Sequence, residues 1–334
     1  MTSFALIQSA AERVSQHARV TPLLCSPVLD MIAGRHLLVK AECLQHTGSF
    51  KFRGGWAAVS ALKPDALKRG VLAYSSGNHA QGVATAAKAF GAPAVIIMPK
   101  DAPDLKINNT RALGAEVVLY DRAGGESREA VGETIAQKRD LTLIRPYDDP
   151  QVIAGQGTVG LEIADQAAEL GIREAEVLVC CGGGGLSAGI ALALEKRAPQ
   201  MRVRPVEPKG FEDMARSLER HEVTSNSNLT GSICDAILTP RPGQLTFPIL
   251  TRLAGSGVVV SDEDALCAMA LAYHHLKIVL EPGGAVALAA ALFHGAAIQA
   301  DAVIAVATGG NVSTETFQKA LTFLPDCERR YTMI

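Results

Sequence analysis

The stretch that decides the fold is Glu176-Val177-Leu178-Val179-Cys180-Cys181-Gly182-Gly183-Gly184-Gly185-Leu186-Ser187-Ala188-Gly189. Its first five residues predict a buried strand, and the apolar period from Leu186 to Arg197 predicts a helix. Four consecutive glycines between them are costly in conformational entropy unless the backbone wraps closely around a ligand. Because N–H groups at a helix N-terminus bind anions, this loop predicts a phosphate site, with a flexible glycine turn as the alternative.

The glycine loop differs from the two common nucleotide-binding loops. No Gly-Lys-Ser or Gly-Lys-Thr follows it, as a Walker A loop requires, and it lacks the spaced glycines and the acidic residue of a dinucleotide site. A phosphate monoester therefore fits the loop better than ATP or NAD.

Short apolar runs alternate with segments of helical period along most of the chain. Strands are predicted at 71–74, 94–98, 116–120, 141–144, 176–180, 203–206, 258–260 and 302–306, and helices at 81–90, 127–139, 186–197, 263–277 and 285–293. This order predicts an α/β fold with open, mostly parallel sheets flanked by helices. No linker of biased composition marks a domain boundary.

Bulk properties exclude several classes of protein. With 334 residues, 48% hydrophobic and 20% charged, the chain predicts a globular protein long enough for two domains. A net charge of -2 without a basic block argues against a nucleic-acid partner. No apolar window is long enough to span a membrane, and the N-terminus lacks the basic and apolar regions of a signal peptide.

The cysteines predict a reducing compartment. They number seven, an odd count, and show neither a C-x-x-C pair nor zinc spacing. Reduced thiols in a cytoplasmic protein are the simplest interpretation.

Two further loops follow predicted strands. The first, residues 75–82, reads Ser-Ser-Gly-Asn-His-Ala-Gln-Gly, and its position at a helix start suits a substrate carboxylate, although a plain Ser N-cap with a Gly turn explains it too. The second, residues 307–311, reads Ala-Thr-Gly-Gly-Asn and offers one hydroxyl at a strand end. Because ligands of parallel sheets bind beyond the carboxyl ends of strands, the three loops predict one site.

Lys51 lies between Phe50 and Phe52, an unusual setting for a solvated cation. A buried ammonium loses its proton more readily, and the resulting amine is a nucleophile. Pyridoxal 5'-phosphate (PLP) is the aldehyde cofactor that enzymes hold through such a lysine. The alternative is an ordinary surface lysine at the start of an amphipathic helix.

Together these motifs resemble the fold type II PLP enzymes, which are tryptophan synthase β-like, and within them the serine/threonine dehydratase and serine racemase group, including 3-hydroxyaspartate dehydratases. The resemblance covers nearly the whole chain through Ser49-Phe50-Lys51, Ser76-Gly77-Asn78-His79, Gly182 to Gly185 and Thr308-Gly309-Gly310-Asn311. It implies a large PLP-binding domain formed by residues 1–47 and 148–334. A small domain, residues 48–147, would be inserted in it.

The resemblance also implies the roles of individual residues. Phe50 and Lys51 would bind the cofactor, with Lys51 forming the imine with PLP, and Asn78 would bind the phenolic oxygen of the cofactor. Gly182, Gly183, Gly184, Gly185 and Leu186 would hold the phosphate, and Thr308 would face the pyridine nitrogen. The substrate carboxylate would be bound by Ser75, Ser76, Gly77, Asn78 and His79.

The predicted activity is elimination of water from a β-hydroxy amino acid such as L-serine, L-threonine or 3-hydroxyaspartate, giving a 2-oxo acid and ammonia. A neutral hydroxyl at the ring nitrogen makes the ring a weaker electron sink than a carboxylate would, which suits β-elimination. Lys51 is placed to remove the α-proton. Ser76 would permit attack on the opposite face and thus racemisation, so serine racemase is the alternative activity. A PLP-fold binding protein without catalysis is the third hypothesis.

A divalent cation is a second predicted cofactor. Serine racemases and hydroxyaspartate dehydratases share the spacing of Glu207 and Asp213, with a backbone carbonyl at Phe211. Such oxygen ligands suit Mg²⁺, Mn²⁺ or Ca²⁺. Without the resemblance, both carboxylates would be taken as solvated surface groups.

Arg145 is the main departure from the family pattern. Its guanidinium could bind a second substrate carboxylate, which would favour 3-hydroxyaspartate, or form a surface ion pair with Asp148 or Asp149. The family further implies a homodimer.

Overall fold

The structure is a computed structural model that describes residues 2–75, 77–102, 104–121, 124–228, 230–324 and 327. Within this part of the chain ten strands are present. They are β1 Leu23–Cys25, β2 His36–Lys40, β3 Val71–Tyr74, β4 Ala94–Pro99, β5 Glu116–Tyr120, β6 Thr142–Leu143, β7 Ala175–Cys180, β8 Met201–Pro208, β9 Val258–Val260 and β10 Ala302–Val306.

The α-helices lie between the strands. They are α1 Phe4–Val14, α2 Pro27–Ala33, α3 Lys51–Ser60, α4 Pro64–Arg69, α5 Asn78–Ala89, α6 Asp104–Ala112, α7 Arg128–Arg139, α8 Pro150–Glu169, α9 Gly185–Arg197, α10 Asp213–Arg220, α11 Thr246–Leu253, α12 Asp262–Leu276, α13 Pro282–Phe293 and α14 Thr314–Thr322. Among these helices, none combines the length and the apolar character that a membrane crossing needs.

The strands form two sheets. The larger has the order β1-β2-β10-β7-β8-β9, parallel except for the β1–β2 pair, and the smaller has the order β5-β4-β3-β6, parallel throughout. In the centre of the larger sheet, Ile304 of β10 pairs with Leu38 on one side and Val177 on the other. The predicted α/β class with mostly parallel sheets is confirmed.

Alternate residues of each strand enter different cores. In the larger sheet, Leu178 faces a core made with α2, α12 and α13, whereas Val177 and Val179 face a core made with α8 and α9. In the smaller sheet, Ala73 packs towards α3 and α5, and Leu72 packs towards α7. Helices thus cover both faces of each sheet, as the continuous apolar strands predict.

Close packing of α3 against α5 fixes the start of α3. A β-carbon on Gly55 would lie 2.6 Å from the Gly82 carbonyl carbon, and one on Gly82 would lie 2.7 Å from the Lys51 oxygen. Only glycine permits two helix backbones to approach so closely. The crossing places Lys51, the first residue of α3, next to the N-terminal half of α5.

A buried ion cluster holds α3 from its other side. The Arg53 guanidinium donates to Glu42 Oε1 at 2.8 Å and to Glu162 Oε1 at 2.6 Å, and Lys40 Nζ donates to Glu162 Oε2 at 2.6 Å. Arg53, Lys40 and Glu42 are completely or almost completely buried. Two cations balance two anions, so the cluster satisfies its charges while joining β2, α3 and α8.

The disulfide between Cys267 and Cys327 corrects the prediction that all thiols are reduced. Their Cα atoms are 5.7 Å apart, and the bond ties the end of the described chain to α12. Cys25, Cys43, Cys180, Cys181 and Cys234 remain free thiols. An odd cysteine count excludes complete pairing but not a single bond, and this pair is 60 residues apart in the sequence.

Candidate active site

Lys51 is the first residue of α3, and the segment just before it is hydrogen-bonded to the loop after β10. Phe50 N donates to Thr308 O at 3.1 Å, and Gly310 N donates to Gly48 O at 2.9 Å. The Lys51 side chain turns into a cavity between the two sheets, where Nζ donates to Pro146 O at 2.9 Å. Burial of the amine is the largest cause that lowers the pKa of Lys51, to about 8. The neutral, nucleophilic form is therefore far more accessible than in a solvated lysine.

The cavity brings together most of the predicted site residues. Its lining includes Phe50, Lys51, Ser75, Gly77, Asn78, His79, Gly182, Gly183, Gly184, Gly185, Leu186 and Thr308. Ser76 lies outside the described residues, so its catalytic role stays a prediction. Arg145, Glu207, Phe211 and Asp213 are described, but they are not part of this lining.

The Gly182–Gly185 loop connects β7 to α9 along one wall of the cavity. Gly184 has φ +89°, a conformation that favours glycine, and a β-carbon on Gly183 would come within 2.2 Å of the Tyr147 ring. The carbonyl of Gly183 accepts from the Thr246 hydroxyl at 2.6 Å, which anchors the loop from behind. The first turn of α9 has N–H groups without intrahelical acceptors, the arrangement that binds a phosphate.

Asn78 begins α5 opposite this loop and is held by two other cavity residues. Its Nδ2 donates to Glu281 Oε1 at 2.6 Å, and its Oδ1 accepts from Asn311 Nδ2 at 2.7 Å. Sequence reasoning gave no role to Glu281 or Asn311. Glu281 precedes Pro282 at the start of α13, a Glu-Pro pair that also occurs at ordinary helix starts, so local sequence does not single it out.

His79 is neutral in this structure. The ring is buried, and its Nε2 donates a hydrogen bond to Ile144 O at 3.0 Å. Burial is the largest cause that lowers the pKa of His79, to about 3, and the nearby charge of Lys51 is the second cause. Nearby, Ser75 Oγ accepts from Gly77 N at 3.2 Å. This start of α5 presents polar groups rather than a cation to the cavity.

Thr308 and Cys180 close the floor of the cavity. The Thr308 hydroxyl lies 2.9 Å from Cys180 Sγ, at the carboxyl ends of the adjacent strands β10 and β7. Burial raises the pKa of Cys180 to about 12, so its thiol keeps the proton. Thr308 is 4% exposed, and only its cavity side remains open to a ligand.

Arg128 is a cavity residue that sequence reasoning missed. It is the first residue of α7, and its guanidinium carbon lies 5.7 Å from the centre of the Tyr74 ring. Its Nε donates to Glu129 Oε1 at 2.7 Å. Its position could have been found from the sequence, because it follows the predicted strand β5 and therefore lies at the same sheet edge as the Ser75 loop.

Arg145 lies elsewhere. Its side chain is 45% exposed, and Nη2 is 3.5 Å from Glu133 Oε1 on α7. The structure pairs Arg145 with Glu133 rather than with Asp148 or Asp149, whose carboxylates accept backbone N–H groups at the starts of α11 and α8.

The predicted metal ligands form a separate buried group. Glu207 accepts from Met214 N at 2.9 Å and Ala215 N at 2.8 Å, and Asp213 Oδ1 accepts from Asn226 Nδ2 at 2.6 Å. Asp213 Oδ2 is buried without a hydrogen-bond partner in the described residues. Burial, then the charge of Asp213, raises the pKa of Glu207 well above its ordinary value, and burial raises the pKa of Asp213 to about 7.

These two carboxylates fit a hard cation. Both are completely buried, and a cation would relieve their repulsion and use the unpartnered oxygen. Phe211 is buried in the loop between them. Among the described residues, no group of three or more His, Cys, Asp or Glu side chains is arranged to hold a metal. A cation here would need backbone carbonyls or water as further ligands.

The main cavity fits PLP on three observations of its own residues. Lys51 supplies an amine with a lowered pKa, the glycine loop supplies a phosphate cradle, and Thr308 supplies a hydroxyl to the same cavity. PLP carries an aldehyde, a phosphate and an aromatic ring with a nitrogen, and these three parts match the amine, the phosphate cradle and the hydroxyl.

Known proteins resemble the chain over nearly its whole length. It is 38% identical to an L-threo-3-hydroxyaspartate ammonia-lyase from Pseudomonas sp, covering 96% of this chain and 99% of the relative. It is 36% identical to a serine racemase from Schizosaccharomyces pombe, covering 95% and 96%. The solved structure of a threonine deaminase from T.th. superposes with a TM-score of 0.87 at 42% identity, covering 93% of this chain and 99% of the other.

The family model agrees with the geometry of the cavity. Residues 14–309 match the model described as pyridoxal-phosphate dependent enzyme, a range that includes Lys51, the glycine loop and Thr308. This chain belongs to the family of pyridoxal-phosphate dependent enzymes.

Proposed function

We propose that this PLP-dependent ammonia-lyase acts on 3-hydroxyaspartate in preference to L-threonine or L-serine. The observation that carries the preference is Arg128, a cation that lines the same cavity as Lys51. A substrate with two carboxylates needs a polar site for each. The start of α5 suits the first, and Arg128 suits the second by charge-assisted hydrogen bonds.

Lys51 has two tasks in this proposal. PLP, when bound, supplies the electron sink that makes the α-proton of an amino acid removable. The Lys51 amine holds the cofactor before the substrate arrives and then accepts the α-proton. Its pKa of about 8 suits a general base, because the free amine is present near neutral pH.

Other cavity residues would hold the cofactor and favour one reaction course. Gly182 to Gly185 and Leu186 would bind the phosphate, Asn78 the phenolic oxygen, and Thr308 the ring nitrogen. Phe50 packs beside Lys51, with its ring centre 5.1 Å from Nζ. Because Thr308 carries no charge, it does not hold the ring nitrogen protonated, and this favours elimination over a long-lived carbanion.

The test of the substrate proposal compares two arginines. In Arg128→Gln, kcat/KM for 3-hydroxyaspartate should fall by about 10- to 100-fold, since losing a charged hydrogen-bond partner costs about 1.5 to 3 kcal/mol. The value for L-threonine should change much less. Arg145→Gln is the matched control and should leave both values unchanged, because Arg145 faces Glu133. Equal losses for both substrates in Arg128→Gln would contradict the proposal.

Racemisation is the second candidate activity. It is favoured by the serine racemase from Schizosaccharomyces pombe, 36% identical over nearly the whole chain, and by Ser76. A panel of L-serine, D-serine, L-threonine and both 3-hydroxyaspartate diastereomers, followed for 2-oxo acid and for chirality, separates the two activities. A holoprotein without a visible absorption band, or one whose band survives borohydride, would instead favour a non-catalytic binding protein.

A divalent cation at Glu207 and Asp213 is also part of the proposal. Mg²⁺, Mn²⁺ or Ca²⁺ would bind the two buried carboxylates and stabilise the folded state, by about 2.7 kcal/mol at a hundred times the dissociation constant. We expect EDTA to lower Tm and Mg²⁺ or Mn²⁺ to restore it. Asp213→Asn should not respond to metal, whereas Glu219→Gln, an exposed acid on the same helix, should respond like the wild type. A Tm independent of metal in the wild type would reject the site.

The domain boundaries, oligomeric state and location are proposed as well. Residues 48–147 as a small domain are supported by the smaller sheet, whose strands all fall between Val71 and Leu143. A homodimer is supported by exposed apolar side chains such as Val20 and Met31, and is tested by light scattering. The five free thiols support the cytoplasm, whereas the Cys267–Cys327 disulfide is of a kind that is rare there.

A further inference from the structure

The thiol of Cys180 is a cavity group that the proposed reaction does not use. It ends β7, it is 4% exposed, and it lies 2.9 Å from the Thr308 hydroxyl at the end of the neighbouring strand. Both residues line the cavity that holds Lys51. Two buried polar side chains thus meet where the resemblance places the ring nitrogen of PLP.

The chemistry of the two groups decides which of them donates. A thiol is a weak donor and a weaker acceptor, whereas a hydroxyl oxygen offers two lone pairs. With its pKa raised to about 12, Cys180 keeps its proton at neutral pH. The favoured arrangement is Cys180 S–H donating to Thr308 Oγ1. The hydroxyl hydrogen of Thr308 is then directed away from sulfur and into the cavity.

We propose that Cys180 is a positioning residue that orients the Thr308 hydroxyl so that it donates to the ring nitrogen of the cofactor. The inference rests on the proposed placement of PLP against Thr308. A ring nitrogen that accepts a hydrogen bond from a fixed O–H stays unprotonated. Without Cys180, the same hydroxyl is free to rotate, and its oxygen can instead accept a hydrogen bond from a protonated ring nitrogen.

The role is distinct from packing because it acts through one atom. A cysteine that only fills space would influence the ring equally with or without the Thr308 hydroxyl. A cysteine that orients the hydroxyl loses all influence on the ring once that hydroxyl is removed. Thr308→Val removes the hydroxyl at nearly constant volume, which makes a double-mutant cycle informative.

The experiment measures the ring nitrogen directly in the holoenzyme. Wild type, Cys180→Ala, Cys180→Ser, Thr308→Val and the double variant Cys180→Ala/Thr308→Val are loaded with PLP carrying ¹⁵N in the ring, and solid-state ¹⁵N NMR spectra are recorded. Cys43→Ala is the matched control, since Cys43 is another buried free thiol of the same hydrophobic core and does not line the cavity.

We expect Cys180→Ala to shift the ¹⁵N signal away from its wild-type position. Cys180→Ser should restore it, because a serine hydroxyl also donates to Thr308. In the Thr308→Val background, Cys180→Ala should cause no further shift, and Cys43→Ala should leave the wild-type signal in place. An unchanged signal in Cys180→Ala, or equal shifts in both backgrounds, would overturn the inference. Failure of wild type to bind PLP through Lys51 would instead overturn the proposed function.

Discussion

The titration of Lys51 is the residue property that most directly supports the chemistry. Burial lowers its pKa, so the amine becomes neutral as the pH rises through about 8, whereas an exposed lysine stays charged to higher pH. In the apoprotein, competitive acylation followed by mass spectrometry should show Lys51 reacting with a midpoint near pH 8. The reference is an ordinary solvated lysine amine, which titrates at about 10.4. A Lys51 midpoint in that ordinary range would mean that the cavity does not perturb the amine.

Some site residues could be predicted from sequence and others could not. Asn78 and the glycine loop follow predicted strands, and Lys51 lies between two phenylalanines, so these signals are visible in the sequence alone. Arg128 and Glu281 are ordinary residues at helix starts, and only the sheet edge brings them to Lys51. Arg145 also follows a strand, as the site residues do, but its side chain points to Glu133 on α7.

The crossing of α3 and α5 gives a prediction about whole elements. Gly82→Ala would place a methyl group 2.7 Å from the Lys51 oxygen and push the two helices apart. We expect the free energy of unfolding to fall by about 1 to 3 kcal/mol, and the affinity for PLP to fall with it because Lys51 moves. Denaturant unfolding and PLP titration measure the two effects.

The control for this variant lies on the same helix. Lys88→Ala changes an exposed side chain near the end of α5 and should leave both quantities close to wild type. A Gly82→Ala protein with unchanged stability would show that the helices can separate at no cost.

Periodicity missed several elements, and β2 and α8 illustrate two different reasons. The strand β2 contains Lys40, a wholly buried cation, so its sequence does not show the continuous apolar run of a central strand. The helix α8 contains glycines, which usually lower helix propensity. Here they allow close contacts instead, since a β-carbon on Gly155 would be 2.6 Å from Ala57 Cβ and one on Gly160 would be 2.8 Å from Ala193 Cβ. Tertiary packing has overridden local preference in both elements.

The disulfide gives a prediction for the molecule as a whole. Because Cys267 and Cys327 are 60 residues apart, Cys327→Ser should lower the free energy of unfolding by about 2 to 4 kcal/mol under oxidising conditions. Cys25→Ser removes an exposed free thiol and serves as the control. Dithiothreitol should abolish the difference between Cys327→Ser and wild type. A difference that persists after reduction would mean that the thiol matters for packing and not for the bond.

The positions of the strands were more predictable from sequence than the long-range links between elements. Eight of the ten strands lie where apolar runs predict them, because a parallel sheet buried on both faces needs such runs. The disulfide and the Arg53 cluster join residues far apart in sequence, and no local pattern announces them. Their partners are neighbours only in the folded chain.

The Arg53 cluster also limits how related sequences can diverge. Its four charges sum to zero, so replacing any one of them leaves an opposite charge buried without compensation. The typical cost is about 3 to 5 kcal/mol, a large part of the roughly 5 to 15 kcal/mol by which a folded protein is stable. Replacing a cation and an anion together avoids that penalty. Single substitutions at these positions are therefore strongly disfavoured. Related sequences should either keep all four residues or have replaced a cation and an anion together.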